Sequence, residues 1–162
     1  MRANINKQIF NISIILCLSF FVGSASFAQS KSFTYNGHSI ELDKRIIEHF
    51  GLEYVTTLET TNPDLLFYFN YFVKNAYRVE DIGQKISEPE IQSISDLSKS
   101  EKSKAPAFNS SDLAGFNILA YSIQLSDEQQ VYKTGNGSEV IIVLPKKQFF
   151  EKYNSYRIPI IK

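Results

Sequence analysis

Tryptophan is missing from this chain, cysteine and methionine occur once each, and there are two histidines in 162 residues. Each scarcity closes a route. One cysteine, Cys17, allows neither an internal disulfide nor a cysteine metal cluster. His38 and His49 are the only imidazoles, so a histidine mechanism has two candidates. The 17 basic and 17 acidic residues cancel, which leaves no electrostatic footprint for nucleic acid. No apolar run reaches the roughly 20 residues that a membrane-spanning helix needs. Without tryptophan, a sugar cleft would have to build its aromatic platform from tyrosine.

Among the features present, residues 1–28 read as an export signal. Arg2 and Lys7 form a positive head, residues 12–22 an apolar centre, and Ser26-Phe27-Ala28 puts small residues at the two positions a signal peptidase inspects. Cleavage is expected before Gln29, by the general secretion route of a bacterium, giving a periplasmic or extracellular protein. Cys17 follows Ile14-Ile15-Leu16, a poor lipid-attachment site because a small residue belongs just before the cysteine. Residues 29–162 then keep 15 basic and 17 acidic residues, a net charge of −2, and no cysteine. These 134 residues, with no transmembrane segment, are enough for one small domain held by its core alone.

The stretch around which that domain is organised is residues 62–77, with six aromatics between Phe67 and Tyr77. Asn62 caps, Pro63 suits the first helical position, and Asp64 favours the positive end of the helix dipole. Leu65, Phe69, Phe72 and Ala76 recur at helical spacing, with Leu66 and Val73 beside them. The other side carries Phe67, Tyr68 and Tyr71, relieved only by Asn70, Lys74 and Asn75. A helix apolar nearly all round is buried on several sides or meets a partner; internal packing is the favoured reading, because a large apolar side chain gains on burial wherever it finds cover, and Phe67, Tyr68 and Tyr71 are the candidate binding residues for a partner.

Before this helix, Asn36-Gly37 between alternating runs predicts a hairpin with Phe33, Tyr35, His38, Ile40 and Leu42 on its inner face. A helix over 43–50 should stop at Gly51, and 52–60 is read as helix. After it, 77–82 alternates as a strand. Residues 84–111, rich in Ser, Lys, Glu and Pro, predict a long and disordered surface loop, on which Ile91, Ile94 and Leu97 offer anchors for a short helical turn. A three-stranded meander is expected from 117–125, 129–134 and 140–144, then a helix from Pro145 through Asn154, then an edge segment over 158–161 limited by Pro159.

Chemistry finds little support in the motifs. A zinc site from His38, Glu41, Glu48 and His49 matches no ligand spacing. No Gly-x-Ser-x-Gly elbow exists, and the 135–138 stretch, Gly-Asn-Gly-Ser, reads as a hairpin turn. The acid pairs Glu80-Asp81, Glu88 with Glu90, and Asp127-Glu128 read as solvated charges. His49, in a last helical turn, suits the negative helix end.

The expected fold is α+β: a small antiparallel sheet, the C-terminal meander with or without the N-terminal hairpin, packed on the aromatic helix. The expected function is a non-catalytic interaction or structural module of the bacterial envelope or secretome, needing no metal or cofactor and binding another envelope or secreted protein. The alternatives are a periplasmic carrier of a small apolar ligand and a small hydrolase using His38.

Overall fold

The computed structural model describes residues 31–83, 91–97, 99–100, 103, 113–135 and 138–161. The signal expected over 1–28 lies outside them. Local signals dominate the N-terminal half. β1 (Ser32–Tyr35) and β2 (His38–Glu41) form a hairpin with Tyr35 opposite His38 and Phe33 opposite Ile40. Asn36 and Gly37 take φ of 48° and 81°, the left-handed pair that a two-residue turn demands. Phe33 and Tyr35 are buried, but His38 is exposed. Its expected place on the inner face is therefore corrected, because β2 lies at the rim of a separate two-stranded sheet.

Asp43 starts α1 (Lys44–Phe50) by accepting from the Arg45 N–H, and Gly51, at φ 84°, ends it. α2 (Leu52–Thr61) follows directly. α3 (Pro63–Asn75) then begins with the Asn62 side chain accepting from the Leu65 N–H at 3.1 Å. The cap and the proline place this start as the sequence predicts.

β3 (Tyr77–Asp81), β4 (Gln130–Lys133) and β5 (Glu139–Val143) make an antiparallel sheet in the order β3-β5-β4. The class is mixed α+β with two small antiparallel sheets, but one strand differs from the expected meander. Residues 117–125 are not a strand: Ile118–Ala120 is a 3-10 turn, and Tyr121 makes a single bridge to Lys99. β3 takes that place, since it leaves α3 already alternating and the Leu144 N–H closes on the Ala76 carbonyl. The 113–121 segment is instead pinned by buried Phe116 and Ile118 and by Asn117. Within the expected loop, Ile94–Asp96 forms a short turn, Ile94 is fully buried, and Ser93 bridges to Lys133 of β4. Residues 84–90, 98, 101–102 and 104–112 lie outside the described set.

α4 (Lys146–Ile161) runs on through Pro159, so the expected stop at Asn154 and the apolar edge tail are corrected. Arg157 holds this last stretch to α3 and the hairpin, as described below. α3 lies between two aromatic surfaces. Phe69 meets Phe50 of α1 at 4.9 Å between ring centroids, while Tyr68, Tyr71 and Phe72 meet Phe149 and Tyr153 of α4. Burial on both sides accounts for a helix with almost no polar face. No helix among the described residues is long and apolar enough to cross a membrane.

Candidate functional site

Where β2, α3 and α4 meet they leave an open groove of about 440 Å³. Its floor comes from two turns of α3, because residues three and four apart share a helix face: Phe67, Asn70, Tyr71 and Lys74 all line it. Phe67 is the centre of a ring stack. Tyr35 stacks on it at 4.2 Å and 14°, and Tyr156 of α4 at 5.8 Å and 13°. Tyr71 closes on Tyr156 at 5.0 Å.

A polar clamp fixes the stack from behind. The Tyr35 hydroxyl donates to Asp64 Oδ1 at 2.6 Å, Arg157 Nη2 donates to the same oxygen at 2.6 Å, and Arg157 Nε donates to the Tyr35 hydroxyl at 3.1 Å. Burial, then the hydrogen bond to Asp64, raises the Tyr35 pKa and keeps the phenol a donor. Burial, then the nearby Tyr156, raises that of Tyr71. Tyr35 and Tyr71 are thus neutral at ordinary pH, and the aromatic floor is preorganised.

The opposite wall is a strand edge. The Leu42 N–H donates to the Lys31 carbonyl, which fixes the hydrogen-bonded pairs of the hairpin and turns the peptide groups of Ser39 and Glu41 outward. Asn70 already engages this edge as a neighbouring strand would: Nδ2 donates to the Glu41 carbonyl at 3.0 Å and Oδ1 accepts from the Asp43 N–H at 2.8 Å. Lys74 Nζ also donates to the Glu41 carbonyl, at 3.3 Å, and pairs with no carboxylate among the described residues. Further along, the N–H and C=O of Ser39 and the N–H of Glu41 have no hydrogen-bond partner among the described residues. The groove thus offers open peptide groups along one wall and aromatic rings along its floor.

The three expected binding residues divide. Phe67 is 1% exposed and Tyr71 8%, so both are core residues that show only an edge to the groove. Tyr68 turns away under α4 against Phe149, Phe150 and Tyr153. The reason is nonlocal, since α4 covers the side of α3 that the local period leaves open. Asn70, expected on the outer side, is also buried. The residue that sequence reasoning missed is Tyr156, 47% exposed and stacked on Phe67. Its one available signal was helical spacing from Phe149 and Tyr153.

A second polar cluster lies deeper. Arg45 grips Asp43 with Nε and Nη2 at 2.8 and 2.7 Å, and its Nη1 donates to the Tyr77 hydroxyl at 2.6 Å. Tyr77 in turn donates to the Phe116 carbonyl, and Asn117 Nδ2 to the Arg45 carbonyl. Burial pushes the Asp43 carboxyl up, but the hydrogen bonds from Arg45 outweigh it and hold the group below its ordinary value. Every arm of this fork is engaged internally, which makes it a brace between α1, β3 and the 113–121 segment.

Neither histidine side chain makes a hydrogen bond among the described residues. His38 is exposed and its ring stands free of side-chain hydrogen bonds among the described residues. His49 is 5% exposed, its Nδ1 has no hydrogen-bond partner, and its ring stands edge-on to Phe50. Burial lowers its pKa, so it packs as a neutral ring rather than as a cation at the helix end. Among the described residues no three His, Cys, Asp or Glu side chains converge on a metal position. Of the 135–138 turn, Asn136 and Gly137 lie outside the described residues. Comparison with protein-family models, curated proteins and solved structures finds no match to this chain.

Proposed function

We propose that this chain is an exported, non-catalytic interaction module of the bacterial envelope or secretome, and that it binds an extended segment of another envelope or secreted protein in the groove between β2 and α3. One observation carries this reading: a strand edge with unpaired peptide groups at Ser39 and Glu41 runs beside the fixed rings of Phe67, Tyr71 and Tyr156. An added strand draws affinity from backbone hydrogen bonds and specificity from the side chain it seats. Half-exposed tyrosine held in one rotamer by stacking suits such a contact, because little conformational entropy is lost on binding. Export is proposed from the composition of residues 1–28.

Peptide display against the chain from Gln29 onward tests the reading. Enriched peptides should be extended, carry an apolar or aromatic side chain, and lose at least tenfold in affinity for Tyr156→Ser, whose half-exposed ring can be removed without opening the core. Binding equally well to Tyr156→Ser would place the contact elsewhere. A melting temperature raised by lipids or small aromatics, with no peptide enriched, would favour the apolar-ligand carrier instead.

A further inference from the structure

β3 is the outer strand of its sheet. Its far edge is open in a definite pattern. The Leu144 N–H donates to the Ala76 carbonyl and the Ile82 N–H to the Ser138 carbonyl, so the even-numbered residues of β3 bond to β5. The peptide groups of Tyr77, Val79 and Asp81 therefore point away from the sheet, and none of them has a hydrogen-bond partner among the described residues. Both faces of the strand are accessible: Arg78, Val79, Glu80 and Asp81 are all exposed, Val79 at 38%. Exposed edges of this kind are normally guarded by charges that repel a neighbour.

Here the charges have the opposite effect on one neighbour, a second copy of the same strand. Laid antiparallel about a two-fold axis at Val79, the segment sets Val79 against itself and Tyr77 against Asp81, all outward-pointing positions that can exchange N–H···O=C bonds. Arg78 then falls opposite Glu80 of the second copy, and Glu80 opposite its Arg78, in the non-hydrogen-bonded positions where facing side chains come closest. Within one strand Arg78 Nε already donates to Glu80 Oε1 at 2.6 Å, which places both heads on one face. The neighbouring registers that keep the backbone bonds put Arg78 against Arg78 or Glu80 against Glu80. Charge therefore selects the register as well as the partner.

We infer that two copies of this chain associate through β3, joining their sheets into one continuous antiparallel sheet about a two-fold axis at Val79. The contact is short, so association is weak and reversible, in the micromolar to millimolar range. The test is sedimentation velocity on the full exported chain across that range, with Arg78→Glu, Glu80→Arg and an equal mixture of the two. Wild type should shift from monomer to dimer with concentration. Each single variant sets like charges opposite one another twice and should self-associate at least tenfold more weakly. The mixture should regain wild-type association, because in the mixed pair both contacts become opposite-charge again, and that recovery also shows the variants are folded. A wild type that stays monomeric at millimolar concentration, single variants that dimerise like wild type, or a mixture no better than its components would each overturn the inference.

Discussion

Replacing Phe67 with alanine tests the central claim about α3, that its supposed outer side is core. The ring is 1% exposed and packs against Tyr35 at 4.2 Å, Tyr156 at 5.8 Å and Tyr153 at 6.1 Å. Truncating a buried phenylalanine costs about 3 to 5 kcal/mol, from lost transfer energy and the cavity left behind. Two effects act in opposite directions. Loss of the stacking geometry adds to the cost, since an aromatic pair contributes about 0.5 to 1.5 kcal/mol beyond its area. Water entering from the adjoining groove, or Tyr156 collapsing into the space, relieves part of the cavity term. We expect a net loss of about 4 kcal/mol, and for a domain of this size roughly 4 °C per kcal/mol, or a fall of about 16 °C in Tm. Tyr156→Ala, which removes the half-exposed ring of the same stack, should lose only about 1 kcal/mol. Thermal unfolding followed by circular dichroism, with urea titrations to confirm an unchanged m-value, gives both numbers. If Phe67→Ala melted within about 4 °C of wild type, the packing of α4 on α3 described above would be wrong.

Three smaller perturbations probe the polar framework. Asn70→Leu keeps the volume but leaves the Asp43 N–H without its acceptor and the Glu41 carbonyl with Lys74 alone, so the urea midpoint should fall by the equivalent of about 2 kcal/mol. Burial holds the His49 pKa below its ordinary 6.5; the unfolded chain takes up that proton first, so the neutral ring's contribution is complete above about pH 6.5 and is lost as pH falls through the folded value. His49→Phe should flatten that part of a Tm-against-pH curve, and an unchanged slope there would refute the assignment. The Asp43 carboxyl, held below its ordinary 3.8, contributes stability that is present above that value and lost at lower pH as it protonates. Asp43→Asn should lower Tm at neutral pH and reduce the further loss on acidification.

What the sequence determined by itself is a set of local decisions. Asn36-Gly37 specifies its hairpin because few residues accept two successive left-handed conformations. Asn62-Pro63 starts α3, and Gly51 ends α1, through sterics and capping that involve only neighbouring residues. β5 is legible as a continuous apolar run, and it is the central strand. Partners were decided only in three dimensions. The alternation over 77–81 and that over 117–125 are equally good as patterns, yet only the first pairs with β5, because α3 delivers it there and Phe116, Asn117 and Ile118 commit the second to the core. The same holds for the candidate site. Helical period places Phe67, Tyr68 and Tyr71 on one side of α3 but says nothing of the helix that covers them, which brings Tyr153 and Tyr156 to that side from a distant part of the chain. Buried Asn70 reads in sequence as a polar break on an apolar face; its role appears only when the hairpin edge, distant in the chain, presents the Glu41 carbonyl and the Asp43 N–H to its amide. Capping and turn chemistry act between neighbours and are therefore written in the sequence, whereas pairing and coverage depend on which distant surfaces exclude water together.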